Sequence, residues 1–437
     1  MNTRVLFCGD VHLGRRPKAL PKGLENDAGL SPRNLGPKAA LARAVAEACR
    51  LHVDAFVFAG DVVDEDNRFF EAYGPLRENV EQLVAAGIQV FGVCGNHDVE
   101  TLPRLAREIR GFKLLGANGQ WEDAIIAGRS GPQVALRGWS FPTRHVVHSP
   151  FLSERPKAPG GVSALLGVLH GELDVKDSLY APFTRRELEA EREVRGWFLG
   201  HIHKPSLDAS SERPIGYLGS LCGLDRSETG EHGPWLVEVT EAGALRIEQL
   251  PLAPLVWERV VLNASNWRDR ANFESALMSA MATIRARVQT HTCAPRAIGV
   301  SLVLEGALAQ ATQLRAQFES SEFVEELAFD DDRMLSFIAD IEDRTHEPID
   351  LALRALSEDP AGLVARRILA LAEKDSAGAQ ALILKARRAL QEETRRREFI
   401  ADLDPVEFTD EALRERLTRA AWRALETLES TREEQRT

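Results

Sequence analysis

Five short segments gather residues able to bind a metal or move a proton just after apolar runs. They are Gly9-Asp10-Val11-His12, Gly60-Asp61, Gly95-Asn96-His97-Asp98, His170-Gly171-Glu172 and Gly200-His201-Ile202-His203. Each follows a short apolar run that reads as a buried strand: Val5–Cys8, Phe56–Ala59, Val90–Cys94, Leu165–Leu169 and Trp197–Leu199. Ligands of open α/β sheets gather at the carboxyl ends of strands, so separate strands can deliver these groups to one place. Imidazole with carboxylate and amide oxygen suits Mn²⁺, Fe²⁺ or Zn²⁺, and the absence of clustered thiolates argues against a structural zinc site. In Asp10-x-His12 and His201-x-His203, alternate residues point the same way if the backbone is extended. A glycine before Asp10, Asp61, Asn96 and His201 permits a tight turn and close backbone approach.

Taken singly, each segment has an ordinary explanation. Gly-Asp after a strand is a common turn, and Asn96 could cap a helix. His170 could be a simple core histidine, and His-x-His also occurs on surface strands. The ordered set of five points to a dinuclear metal site. Two cations about 3.5–4 Å apart can clamp the attacking and leaving oxygens of a phosphodiester and lower the pKa of water. That chemistry needs no serine or cysteine nucleophile, and the sequence has no nucleophile elbow. It has no phosphate-binding loop of the ATPase type either, so ATP hydrolysis by this chain alone is not expected.

The elements that must position these residues alternate in type. Lys38–Leu51 and Pro75–Ala86 carry apolar residues at helical spacing, and Val134–Phe141, Ile215–Leu218 and Leu236–Thr240 add strands. Residues 1–250 therefore read as an α/β domain, a β-sandwich flanked by helices. A break at Leu250-Pro251-Leu252-Ala253-Pro254 precedes a small α+β domain, 255–343. There Val256–Leu262 and Ile298–Leu304 read as strands, and Trp267–Arg287 and Ala307–Phe318 as helices. Residues 346–437 read as a helical C-terminal region punctuated by Pro348, Pro360 and Pro405. Its apolar stripes, Leu363/Ile368/Leu371, Leu382/Ile383/Leu390 and Phe399/Ile400/Leu403, must be buried against the chain itself or against a partner.

The 437 residues carry a net charge of −12, which argues against a protein that coats DNA generally. A local exception is the insert after the first motif, with Arg15, Arg16, Lys18, Lys22, Arg33 and Lys38. It either steers a phosphate backbone or is a solvated loop. Trp139, Trp197 and Trp235 read as core rather than as base-stacking platforms. The five cysteines are scattered, odd in number and without a Cys-x-x-Cys pair, which suits a reduced, cytoplasmic setting. No stretch is apolar and long enough to span a bilayer, and the first residues do not read as a secretion signal.

The local wording of the motifs resembles the calcineurin-like metallophosphoesterase superfamily. Within it, Asp10-Val-His-Leu-Gly14, Gly60-Asp-Val-Val-Asp64, Gly95-Asn-His-Asp98 and Gly200-His-Ile-His-Lys-Pro205 resemble the SbcD-type DNA repair nuclease subunits. The resemblance covers roughly residues 1–240; the α+β part resembles a capping domain in position and type, and the tail resembles the family only in being helical. It implies that Asp10, His12 and His203 hold one metal, that Asn96, His170 and His201 hold the other, and that Asp61 bridges them. It implies two divalent ions, Mn²⁺ foremost, with Fe²⁺ or Zn²⁺ as alternatives. His97 would meet the scissile phosphate as a catalytic group, with Asp98 orienting its ring; a neutral bystander at His97 is the alternative. Asp64 stands where archaeal and eukaryotic relatives have histidine, and its role is open. The implied function is a metal-dependent DNA exonuclease or endonuclease in double-strand break repair. The implied partners are DNA, a second copy of the chain and an SbcC-like coiled-coil ATPase docked on the helical tail. The alternative is an esterase for a small nucleotide or other phosphodiester.

Overall fold

The structure, a computed structural model, describes residues 2–22, 30–65, 68–265, 267–309, 327, 329–330, 334–373, 376–394 and 409–434. The chain forms two compact units that interleave in sequence. One comprises Met1–Arg259, Ala280–Ser301 and Val324–Asp340, the other Val260–Ser279, Leu302–Phe323 and Ile341–Thr437. The segment 255–343 contributes to both.

The first unit runs β1 (Thr3–Cys8), α1 (Pro32–Leu35), α2 (Pro37–Leu51), β2 (Ala55–Ala59), α3 (Phe69–Ala85), β3 (Gln89–Val93), α4 (Thr101–Glu108), β4 (Phe112–Leu114), β5 (Trp121–Ile126), β6 (Val134–Trp139), β7 (Ala164–His170), α5 (Arg185–Ala190), β8 (Val194–Gly200), β9 (Ile215–Tyr217), β10 (Trp235–Val239) and β11 (Leu245–Gln249). Its strands form two sheets, in the orders β11-β10-β1-β2-β3-β4 and β5-β6-β7-β8-β9. Strands β1 to β4 are parallel, as are β6 to β9; β5 joins one end of its sheet antiparallel, and β10 then β11 join the β1 side of the other antiparallel.

Side-chain alternation makes this a sandwich. Val5, Phe7, Val57 and Val93 of the first sheet meet Leu136, Leu166, Val168 and Phe198 of the second. The rings of Phe7 and Phe198 stack across this seam with centroids 4.1 Å apart. The opposite parity, Leu6, Cys8, Phe56 and Phe58, packs against α2, α3 and α4 through residues such as Leu41, Val45, Leu76, Val80 and Leu105. The outer face of the second sheet, with Leu165, Leu169 and Trp197, is covered by Leu188 of α5 and by Phe151 and Phe183. Trp139, Trp197 and Trp235 are all buried, so they are core. The expected α/β sandwich flanked by helices is observed.

Some boundaries differ from the sequence expectation. Helix α3 begins at Phe69 rather than at Pro75, which sits inside it; Asn79 Nδ2 donates to the Pro75 carbonyl at 2.8 Å. Proline reads as a helix start, but here the first turns precede it. Strands β5 and β11 escape a search for apolar runs because Glu122, Asp123, Arg246 and Glu248 interrupt them.

Beyond β11 come β12 (Leu255–Asn263), α6 (Arg270–Val288), β13 (Ala297–Ala307), β14 (Phe329–Asp330) and β15 (Leu335–His346), with a sheet order β12-β13-β15-β14. Two strands and two helices were expected here. Strand β15 was not, because Asp340, Glu342, Asp343 and Arg344 make its second half polar. The expected helix Ala307–Phe318 begins where β13 ends, and residues 310–318 lie outside the described residues.

In the second unit, the helix Pro360–Ala372 starts from Asp359, whose side chain accepts from the Gly362 amide. Its Ala361, Ala365 and Ile368 pack on Leu425 of the helix Asp410–Glu434, with Trp422 and Leu428 alongside. Arg354 ties the pair by bonding Glu429 and Asp359 at 2.5 and 2.9 Å. Of these stripes, Ile368, Leu371 and Ile383 are buried, and Leu363 stays 44% exposed. Phe399, Ile400, Leu403 and Pro405 lie outside the described residues. No helix among the described residues is long and apolar enough to cross a membrane.

Candidate metal centre

The parallel strands bring all five chemical segments to one end of the sandwich. β1 delivers Asp10 and His12, β2 delivers Asp61, β3 delivers Asn96, His97 and Asp98, β7 ends at His170, and β8 precedes His201 and His203. Asp10, His12, Asp61, Asn96, Asp98 and His170 are buried. Close approach between turns explains the glycines. A Cβ on Gly60, whose φ is +92°, would lie 2.4 Å from His170 Nδ1, and one on Gly200 would lie 2.0 Å from the Ala59 carbonyl oxygen. His12, Asp61 and His201 adopt left-handed backbone with φ of 54°, 46° and 103°. Such conformations cost free energy and cluster at functional sites.

Two groups of donors result. Asp10, His12 and His203 form one and Asp61, His170 and His201 the other, with donor atoms in each within 4.8 Å of one another. The turn at His201 has a consequence for the His-x-His pair. The backbone is not extended there, so His201 and His203 serve different groups instead of pointing the same way. Asn96 Oδ1 joins the second group, 3.2 Å from His170 Nε2 and 3.1 Å from His201 Nδ1. Asp61 Oδ2 lies between the groups, 3.4 Å from His170 Nε2 and 3.9 Å from His12 Nε2. Its other oxygen accepts from the His97 amide at 3.0 Å.

Three of the four imidazoles, His170, His201 and His203, are held by one nitrogen and turn the other into the centre, and the fourth, His12, has a carboxylate beside it. His12 Nδ1 stands 3.2 Å from Asp64 Oδ1, and His203 Nδ1 2.8 Å from Glu228 Oε1. His170 Nδ1 bonds the Ala59 carbonyl at 3.0 Å, and His201 Nε2 lies 3.4 Å from Glu172 Oε1. This pattern fixes tautomer and ring plane, as partners of metal-ligating histidines do. It also gives Asp64 a place, as the support of His12. Glu228 was not found from sequence. It lies 25 residues beyond His203 in a loop without a distinctive pattern, fastened by Ser220 Oγ at 3.0 Å and the Leu224 amide at 3.1 Å.

The donor set fits divalent cations. His12 Nε2 and His203 Nε2 are 3.0 Å apart, the separation of two ligands about 2.1 Å from one ion at a right angle. The electrostatics agree. Burial opposes charge on His170, yet Asp61 and Asp10 push its pKa up to about 9. Burial would raise Asp61, but His170, His12 and His97 hold it well below the usual carboxylate range. Burial likewise opposes charge on Glu228, but His203 holds it down at about 2. A field able to keep a fully buried imidazole protonated also favours a metal cation.

The two other sequence candidates differ. Asp98 does not orient His97. Its Oδ2 accepts from the Val62 and Val63 amides at 2.7 and 3.3 Å and its Oδ1 from the Gly95 amide at 2.9 Å, so it ties the turns after β2 and β3 together. Burial and nearby Asp61 push its carboxyl up to about 8, against those amides. His97 is half-buried with its ring centroid 5.3 Å from that of His12, and its Nδ1 has no hydrogen-bond partner among the described residues. Burial lowers its pKa.

Residues 3–205 match the family described as calcineurin-like phosphoesterase. The chain is 28% identical over 229 residues to the uncharacterized metallophosphoesterase YhaO of Bacillus subtilis, a match covering 51% of this chain and 54% of that protein. It is 26% identical over 264 residues to the DNA double-strand break repair protein Mre11 of Aeropyrum pernix, covering 57% of this chain and 62% of that one. A solved dimetal phosphatase from Danio rerio overlays with a TM-score of 0.34 and 14% identity, over 55% of this chain and 93% of that one. The chain thus spans little more than half the length of the curated relatives it matches. With its metal-binding donors gathered in the same stretch, the region 3–205 belongs to the calcineurin-like metallophosphoesterase superfamily.

Proposed function

We propose that this chain is a two-metal phosphodiesterase that hydrolyses DNA. The observation that carries the metal reading is the holding of His203, His170 and His201 by Glu228, Ala59 and Glu172, with Asp64 beside His12, around a central Asp61. Asp10, His12 and His203 would hold one ion and Asn96, His170 and His201 the other, with Asp61 shared. When bound, the two ions polarise phosphoryl oxygens and acidify water. The protein's own residues bind and orient. Asp98 fixes the turns that carry Asp61 and Asn96. His97, kept neutral by burial and with Nδ1 uncommitted, is placed to exchange a proton with the leaving oxygen.

DNA as substrate is supported by the likeness to a protein named for double-strand break repair. Mn²⁺ suits the mixed imidazole, carboxylate and amide donors, and Fe²⁺ or Zn²⁺ could replace it. A second copy of the chain and a coiled-coil ATPase are the partners we assign to it, and the five free cysteines suit a reducing, cytoplasmic setting. The test supplies Mn²⁺ and compares labelled single- and double-stranded DNA with a chromogenic phosphodiester. Cleavage of DNA is expected. Turnover of the small diester alone would replace this reading with a small-substrate esterase.

A further inference from the structure

A cleft of about 310 Å³ opens beside the metal centre, lined by Gly14, Arg15, Arg16, Arg33, Gly36 and Lys38 among others. The acid on its wall, Glu71, is paired with Arg68 at 3.1 and 3.2 Å. A second cavity, about 360 Å³, shares Arg33 and Lys38 and adds Arg43 and Arg296, with no acid in its lining. Arg43 is committed to the carbonyls of Leu252 and Ala253 at 3.1 and 3.2 Å and belongs to the wall. Arg16, Arg33 and Lys38 are exposed and form no ion pair among the described residues. In a chain of net charge −12, two adjoining cavities lined by cations are a local reversal of charge. Helix α2 adds to it, because its first turn holds no acid and its start has no side-chain cap.

The cleft is joined to the metal centre through named atoms. Leu13 of its wall follows His12. Arg15 Nη1 is 3.9 Å from Asp64 Oδ1, the same oxygen that supports His12 Nδ1 at 3.2 Å. An esterase for a small substrate has no use for cations extending along a helix away from its metals. A strand with repeating phosphates does.

We propose that Arg16, Arg33 and Lys38 bind non-scissile phosphates of a nucleic-acid strand whose next phosphodiester lies at the metal centre. This rests on the nuclease reading above. The test measures binding of a single-stranded oligonucleotide to the Mn²⁺-loaded full chain over a salt series. The variants are Arg16→Gln/Arg33→Gln/Lys38→Gln, Lys38→Gln alone, and Arg246→Gln on β11, which matches the single charge lost in Lys38→Gln at a place away from the cleft. The triple variant is expected to bind on the order of tenfold more weakly, with a salt slope smaller by about 2, since each single-strand phosphate contact contributes about 0.7. Lys38→Gln should lower the slope by about 0.7 and Arg246→Gln should leave it unchanged. Wild-type slope and affinity in both cleft variants would overturn the proposal, and so would an equal loss in Arg246→Gln. If the wild type hydrolyses a chromogenic diester yet binds no oligonucleotide, both this inference and the DNA reading fail while the metallophosphoesterase assignment stands.

Discussion

At the residue scale, the proposed function separates groups that would hold metal from a group that would move protons, and substitution should separate them too. Glu228 meets the centre at the far nitrogen of His203. Losing such a support commonly costs 10–100-fold in metal affinity or activity. Glu228→Gln is therefore expected to raise the Mn²⁺ concentration needed for half-maximal hydrolysis by roughly that factor, with the rate recovering at saturating metal. His97→Ala should do the reverse, keeping the metal titration and losing about 10²–10⁴-fold in turnover. An unchanged turnover in His97→Ala would make His97 a bystander. Much of this centre was legible in the sequence. Every ligand candidate ends or follows a strand, and although each segment alone has an ordinary explanation, five of them in order do not. What was not legible were second partners such as Glu228, whose role depends on tertiary packing alone. The orienting role given to Asp98 failed for a related reason. Adjacency to His97 in sequence says nothing about which backbone amides compete for a buried carboxylate.

At the element scale, the parallel strands of two facing sheets align their carboxyl ends, so five turns far apart in sequence converge. Fully buried strands such as Ala55–Ala59 and Ala164–His170 announce themselves as apolar runs. Edge strands and the polar half of β15 do not, because one face meets water and the pattern resembles a loop. The C-terminal stripes were legible as helices, but their destination was not. Leu425 is fully buried against the helix Pro360–Ala372. Leu425→Ala should accordingly destabilise the second unit by about 2–5 kcal/mol. Hydrogen exchange is the suitable readout: amides of 360–372 and 410–434 should lose protection while those of β1 to β3 keep it. Equal loss in both places would mean that the units unfold as one.

At the scale of the whole molecule, an acidic chain lines one cleft with Arg16, Arg33 and Lys38 and buries Asp10, Asp61 and Asp98 at one end of the sandwich. Both features suit the polyanionic substrate proposed above, and in that proposal two divalent ions would organise the centre. Asp61 is the group on which this depends, since its Oδ2 faces donors of both groups. The decisive measurement is the number of Mn²⁺ ions retained per chain, by elemental analysis after gel filtration, in the wild type and in Asp61→Asn with matching thermal melts. Two ions per chain in the wild type, and one or none in Asp61→Asn, are expected. A single ion in the wild type, or two in the folded variant, would contradict a dinuclear centre bridged by Asp61.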